Sequence, residues 1–245
     1  MNRFLFDPDD FLGGTNDAKL DNKTPEFRHN KKDVFGSYFL KRATYSGKYD
    51  MPKMLPYNGP IPENYVTFSE CSKTVQENTC LTFYDNDTVL ERIWNNPQRQ
   101  INRLKKFDFV STPDFSMKIG QPICTQITNS FRNKAMGYYF QQSGLNVIPS
   151  VSWSNNLSYD FCFDGYSQGG AVIVSTIGIL RDERTMRYFF NGFDEMLKHI
   201  KPDAVILYGD VNDEITSRMP NQLSIYYAEH IRYKRLRSHG KQRSI

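Results

Sequence analysis

The sequence predicts an α/β fold: a parallel sheet built from repeated strand–helix units, half-barrel-like or open, with an irregular N-terminal extension. Three observations predict it. From about residue 107 to 210, short apolar runs alternate with longer amphipathic runs four times, the pattern of helices covering parallel strands. Runs such as "AVIVS" and "AVILY" are apolar throughout, as strands buried on both faces must be. Residues 1–60 show neither period. They are rich in Asn, Asp, Lys, Gly and Pro with aromatics scattered singly, so they are read as an extended arm that docks through its aromatics.

The body is expected over residues 61–228. Within "VTFSECSKTVQENTCLTFYDND", residues 65–68 and 80–84 form two short strands flanking a loop or short helix. "DTVLERIWNNP" places Val89, Leu90, Ile93 and Trp94 on one helical face, with Asp87 as N-cap. Pro97 opens a second helix, because a proline in the first turn forfeits no hydrogen bond. "FDFVSTPDF" is a strand. "QPICTQITNSFRNKAMGYYFQQSG" is a helix with Ile123, Ile127, Phe131, Ala135 and Tyr138 as its inner stripe and Gly144 as its stop. "LNVIPSVSW" is the next strand, "NNLSYDFCFDGY" a connection with a helical turn or two, and "GGAVIVSTIGIL" a further strand. "ERTMRYFFNGFDEMLKHI" aligns Met186, Phe190, Phe193, Leu197 and Ile200 on a helix ended by Pro202, and "DAVILYGD" is another buried strand.

With 39% hydrophobic and 24% charged residues, 18 Phe and 15 Tyr, a globular body with an aromatic-rich core is expected. No run approaches the ~20 apolar residues that cross a bilayer. The start, "MNRFLFDPDDFLGG", meets acids before any apolar segment, so neither a membrane nor a signal peptide is expected, and the cytoplasm is. Cys71, Cys80, Cys124 and Cys162 form no C-x-x-C pair and have no histidine at ligand spacing. Buried free thiols in a reducing compartment are expected, not a structural zinc site. The tail, residues 229–245, carries Arg232, Lys234, Arg235, Arg237, Lys241 and Arg243. From His230 on it contains no acid, so +6 in the tail against +4 in total leaves −2 for the remainder. The body is no basic platform for nucleic acid. The tail, interleaved with the aromatics Tyr226, Tyr227 and Tyr233, contacts phosphates, or else it is a solvated, partly helical segment.

In parallel α/β folds, ligands gather at the carboxyl ends of strands. Asp114, Trp153, Thr176, Tyr208 and Asp210 all fall at such ends, so one rim is the candidate site. Asp114 and Asp210 are the catalytic candidates, able to share a divalent metal as hydrolytic and phosphoryl-transfer sites require. Otherwise Asp114 caps the following helix and Asp210 closes a turn. No cofactor is certain. Trp153 stacks a base or sugar, or plugs the sheet's open end. Gln126, Asn129 and Arg132, at i, i+3 and i+6, face a ligand or hydrogen-bond neighbouring loops. Gly169 and Gly170 let backbone amides approach a phosphate, or form a turn; neither phosphate-binding fingerprint is present. Asp164 belongs to an Asp-Gly turn. His29, His199, His230 and His239 all lie away from strand ends, which leaves a serine or cysteine nucleophile without a base. Tyr226 and Tyr227 form the kind of pair a rolling-circle nickase uses, but without an H-x-H run they are read as packing or edge residues.

Six motifs occur in order: "TPDFS" at 112–116; Gln126/Asn129/Arg132; Q-x-x-G-x-x-V-I-P-x-x-x-W at 141–153; "YDFCFDG" at 159–165; "VSTIG" at 174–178; and K-P-x-x-x-x-x-Y-G at 201–209. Upstream stands "LTFYDNDTVLERIWNNP". This series resembles a family of phage, plasmid and mobile-element proteins known as domain of unknown function 4417, over about residues 65 to 210. The resemblance implies a phage or mobile-element product acting in the host cytoplasm and brings no established activity. Two consecutive acids are expected where this chain has "YDND", which weakens a metal site there. The arm and the tail lie outside the resemblance. The function expected is binding of nucleic acid or a nucleotide at the rim, aided by the tail. The alternatives are an interaction protein of counter-defence type, its arm ordering on a host partner, and a metal-dependent hydrolase using Asp114 and Asp210.

Overall fold

The computed structural model describes residues 37–71 and 77–228. The first part of the arm, the middle of the loop after residue 71 and the whole basic tail lie outside the described residues.

Seven parallel strands follow one another in sequence order. β3 (Asn64–Thr67), β4 (Thr79–Phe83), β5 (Phe109–Pro113) and β6 (Val147–Ile148) form one ladder. β7 (Ala171–Ser175), β8 (Ala204–Tyr208) and β9 (Ser224–Ala228) form a second. The two adjoin where Ser150 bridges Ile173: Ile173 N–H donates to the Pro149 carbonyl, and Val151 N–H to the Ile173 carbonyl, each at 2.9 Å. The sheet is strongly curled. Tyr65 of β3 and Tyr208 of β8 are five strands apart, roughly 24 Å in a flat sheet, yet their ring centroids are 6.2 Å apart. Tyr84, just past β4, stacks on Tyr208 at 4.7 Å. The half-barrel expectation therefore describes the molecule better than an open sheet.

Curling gives β4 to β8 two buried faces, hence their unbroken apolar runs. Inward-facing Tyr65, Cys80, Phe109, Ile148, Ile173 and Ile206 share one core. Outward-facing Leu81, Phe83, Val110 and Val147 enter a second core, and Val172, Val174, Val205 and Leu207 a third. Six α-helices are described: α1 (Asp87–Asn95), α2 (Pro97–Leu104), α3 (Ile123–Gln142), α4 (Tyr159–Cys162), α5 (Glu183–Ile200) and α6 (Asp213–Ser217). Among the described residues no helix is long and apolar enough to cross a membrane.

The described part of the arm packs on the body through Phe39 and Tyr57. A 3-10 turn (Ser37–Leu40) brings Phe39 edge-on to Trp94 at 4.9 Å, and β1 (Tyr45–Ser46) pairs antiparallel with β2 (Met51–Pro52). Tyr57 is buried at the amino ends of the strands, beside Phe109 and bonded through its carbonyl to Ala171 N–H at 2.7 Å. It closes that end of the curl. Gly170 belongs to the same end: its φ is +70°, and a Cβ there would lie 2.6 Å from the Tyr57 carbonyl. Its N–H donates to Asp203 at 2.6 Å. Gly169 and Gly170 thus form a close-packed turn remote from the strand-end rim, not a phosphate cradle there.

Three local expectations are corrected. Asn86, not Asp87, is the N-cap of α1; the Asp87 carboxylate instead accepts from Ser116 N–H and Oγ, both at 3.1 Å. The apolar stripe assigned to α3 fails at Ile123, which is 42% exposed, while Gln126, Asn129, Asn133 and Lys134 are buried. That helix touches β2, β5, β6 and α4, so contacts nearly surround it and hydrophobic periodicity cannot mark a single inner face. The strand in "GGAVIVSTIGIL" stops at Ser175, because Gly178 turns left-handed (φ +79°) into a 3-10 turn at Ile179–Arg181. The pattern also left β9 and α6 unassigned.

Candidate functional site

The carboxyl ends of the strands open on a cleft of about 1100 Å³. Its wall takes Thr67 from β3, Asp85 from beyond β4, Asp114 from beyond β5, Ser175 from β7 and Tyr208 and Asp210 at the end of β8. A side lobe of about 460 Å³ runs between the ends of β5 and β7 toward Trp153, Lys118 and Arg181. Asp114, Ser116, Ser175 and Ile177 line both lobes. Asp114, Trp153 and Asp210 therefore share one mouth, as parallel strands require.

The lobes differ in charge. Glu70, Asp85, Asp114 and Asp210 line the larger one, which has no Lys or Arg among its described lining residues. The smaller has Lys118 and Arg181. Asp114 stands where they meet. Burial pushes its carboxyl up to about 6, the nearby Asp87 charge adds to the rise, and hydrogen bonding from Ser152 offsets part of it. A group titrating there both holds and releases a proton near neutral pH.

Around it lie hydroxyls that stay protonated. Burial, aided by the Asp114 charge, drives the Tyr84 hydroxyl well above its ordinary range, and burial pushes Tyr208 up to about 12. Tyr166 donates to the Ser150 carbonyl at 2.5 Å. The Tyr84 and Ser150 hydroxyls face each other, but neither completes a hydrogen bond of full geometry. A buried polar atom short of a partner is costly, so the Tyr84 hydroxyl, which lines the larger lobe, suits a bound polar group. Sequence reasoning missed Tyr84, Ser150, Lys118 and Arg181. Ser150 left one signal, a polar residue inside "VIPSVSW" at an inward-facing register.

The other candidates divide. Tyr208 lines the larger lobe. Thr176, one residue past β7, is buried and outside both lobes; its N–H donates to the Tyr208 carbonyl at 2.8 Å. Trp153 lines the smaller lobe but leans on α5, its Nε1–H donating to the Tyr188 carbonyl at 3.3 Å beside Phe163 and Phe189. Gln126, Asn129 and Arg132 line neither lobe. Gln126 donates to the Gln121 carbonyl and accepts from Ser154, while Asn129 donates to the Ser116 carbonyl at 2.7 Å. Both brace the chain around the start of α3. Arg132 bonds Glu91 at 2.6 Å, its guanidinium 3.7 Å from the Phe115 ring centroid and 4.9 Å from that of Trp94. Arg132→Lys keeps the charge but loses the planar stack, and is expected to cost about 1–2 kcal/mol in urea melts. A cost within error would contradict that role.

Among the described residues, no three His, Cys, Asp or Glu side chains come together as a metal site. His199 lies on α5 against Phe163 and Glu195. Tyr226 and Tyr227 lie exposed on the edge strand β9. None of the four cysteines is paired; Cys80 and Cys162 are buried as expected, whereas Cys71 is only partly buried and Cys124 is exposed. The six basic tail residues, Arg232, Lys234, Arg235, Arg237, Lys241 and Arg243, lie outside the described residues.

Residues 43–227 match the family described as Domain of unknown function (DUF4417). The match takes in the arm from residue 43, beyond the region of the sequence motifs. The chain is also 33% identical over 131 residues to the "Gene 1 protein" of Mycobacterium phage L5, across 54% of this chain and 57% of that protein. It is 28% identical over 167 residues to the "Gene 1 protein" of Mycobacterium phage D29, across 67% of this chain and 62% of that protein. This chain thus spans less than two thirds of either relative. No solved structure matches it.

Proposed function

We propose, from the premise that this chain belongs to the phage-associated family described as Domain of unknown function (DUF4417), that it is a phage protein binding a nucleotide at its strand-end mouth in the host cytoplasm. The observation that carries the reading is the pair of oppositely charged lobes meeting at Asp114. A nucleotide has matching parts. Its phosphate suits Lys118 and Arg181. Its ribose hydroxyls and base amino groups are donors suited to carboxylates, as in other nucleotide sites. A cleft of this size suits a small ligand. A nucleic-acid strand fits less well, because its repeated phosphates would face four carboxylates. Any contribution to strand binding falls to the tail. A shared divalent metal has Asp114 and Asp210 on one wall in its favour, but no third ligand among the described residues.

Calorimetry on the full chain tests the reading, with AMP and with a single-stranded oligonucleotide at two salt concentrations. AMP is expected to bind, and Arg181→Ala to weaken it about tenfold, or ~1.4 kcal/mol. Oligonucleotide affinity without AMP affinity would move the function to the tail. Binding of neither, with stoichiometric capture of a host protein, would favour the interaction protein.

A further inference from the structure

The geometry points to Asp114 as the catalytic acid of a hydrolase that cleaves the N-glycosidic bond of a nucleotide held in the mouth, an inference that rests on the nucleotide reading above.

The sign of the charge selects the chemistry. Phosphoryl transfer and acyl transfer build negative charge and need cations or aligned donors to stabilise it. The larger lobe offers the reverse: Glu70, Asp85, Asp114 and Asp210, and no Lys or Arg among its described lining residues. Glycosidic cleavage passes through an oxocarbenium-like state, with positive charge on the sugar, which carboxylates stabilise. Position agrees. With phosphate in the smaller lobe and base in the larger, the sugar falls at their junction, and Asp114 lines both. Independent of the acids, the Tyr84 hydroxyl lines the larger lobe, and beside the buried Ser150 hydroxyl it completes no hydrogen bond of full geometry. It can bind a sugar hydroxyl or the attacking water. A carboxyl titrating at about 6 keeps a protonated fraction at neutral pH, as a general acid requires.

Protonated Asp114 gives its proton to the base nitrogen as the C1′–N bond breaks, the bonding pair leaving with the base. Water oxygen bonds to C1′, and the proton it loses passes to the Asp210 carboxylate. Free base and ribose phosphate leave, Asp210 gives its proton to solvent, and solvent returns one to Asp114.

The test incubates the full chain with a panel of 5′-nucleotides, follows free base by chromatography, and measures binding in parallel by calorimetry. Wild type is expected to release base, with a rate that falls as pH rises through about 6. Asp114→Asn should lose roughly 100-fold or more in rate while binding AMP within a few-fold. Should that variant fail to fold, Asp210→Asn at the exposed rim is expected to lower the rate without abolishing AMP binding. Nucleotide bound but no base released by wild type across mildly acidic to neutral pH would overturn the catalytic assignment and leave the binding reading standing. No nucleotide bound at all would overturn both.

Discussion

Gly192→Ala lowers the thermal stability of the protein, although alanine is the better helix former. Gly192 lies inside α5, where the exchange would ordinarily gain about 1 kcal/mol. Here an added Cβ would stand 2.1 Å from Trp153 Nε1, 2.2 Å from Cδ1 and 2.6 Å from Cε2. The indole has little room to retreat. Its Nε1–H is bonded to the Tyr188 carbonyl, and Phe163 and Phe189 lie 6.0 and 5.7 Å away, centroid to centroid. Overpacking against a rigid ring costs about 1–3 kcal/mol beyond the propensity gain. A net 2 kcal/mol is roughly 4–8 °C of melting temperature for a chain of this size. Trp153 emission should shift as the ring is displaced, and Gly192→Val should be worse. A melting temperature raised by Gly192→Ala would show that the indole is free to move.

The second large effect belongs to Lys134, buried in α3. Its Nζ donates to Ser130 Oγ at 2.7 Å and to the Cys162 carbonyl at 3.1 Å, above the Tyr166 ring. Burial lowers the amine from its ordinary 10.5 to about 8, against opposing pulls from Cys162 and Asp164. Between those values the unfolded chain binds more protons than the folded one, so this group makes stability rise with pH. The full difference is about 3 kcal/mol. Cys162 works in the opposite sense. Burial raises its thiol to about 12, and that contribution is lost as pH climbs past the free thiol value. Comparing wild type with Lys134→Met separates the two. From about pH 8 to about pH 10.5, wild type is expected to gain about 3 kcal/mol on the variant in urea denaturation. Parallel curves would mean that the amine is hydrated in the folded state.

These two sites mark the boundary of what the sequence disclosed. The central parallel strands were legible, because strands covered on both faces must be apolar throughout, and "AVIVS" and "AVILY" are β7 and β8. Helix α5 was legible to the residue from its apolar stripe and from Pro202 just past its end, and the structure adds Asp182 as its cap. So was the shared rim, which follows from parallel strands alone. Which side chain occupies which side of the rim was not. Strand alternation fails where the chain bends out of the sheet: Thr176 turns in to bond β8, and Trp153 turns away onto Gly192. Nor did periodicity disclose α3, whose buried Gln126, Asn129 and Lys134 bond loops and carbonyls far away in sequence. The charge contrast between the lobes needed coordinates, because only folding brings Lys118 and Arg181 to the wall of one lobe.

A crystal structure of the full chain grown with AMP is the most direct test of whether the strand ends form one mouth in which Asp114 faces the sugar of a bound nucleotide. The expected result is ribose within hydrogen-bonding distance of Asp114, with phosphate toward Lys118 and Arg181. AMP seated outside the mouth, or at the Tyr57 end of the sheet with the mouth empty, would contradict it.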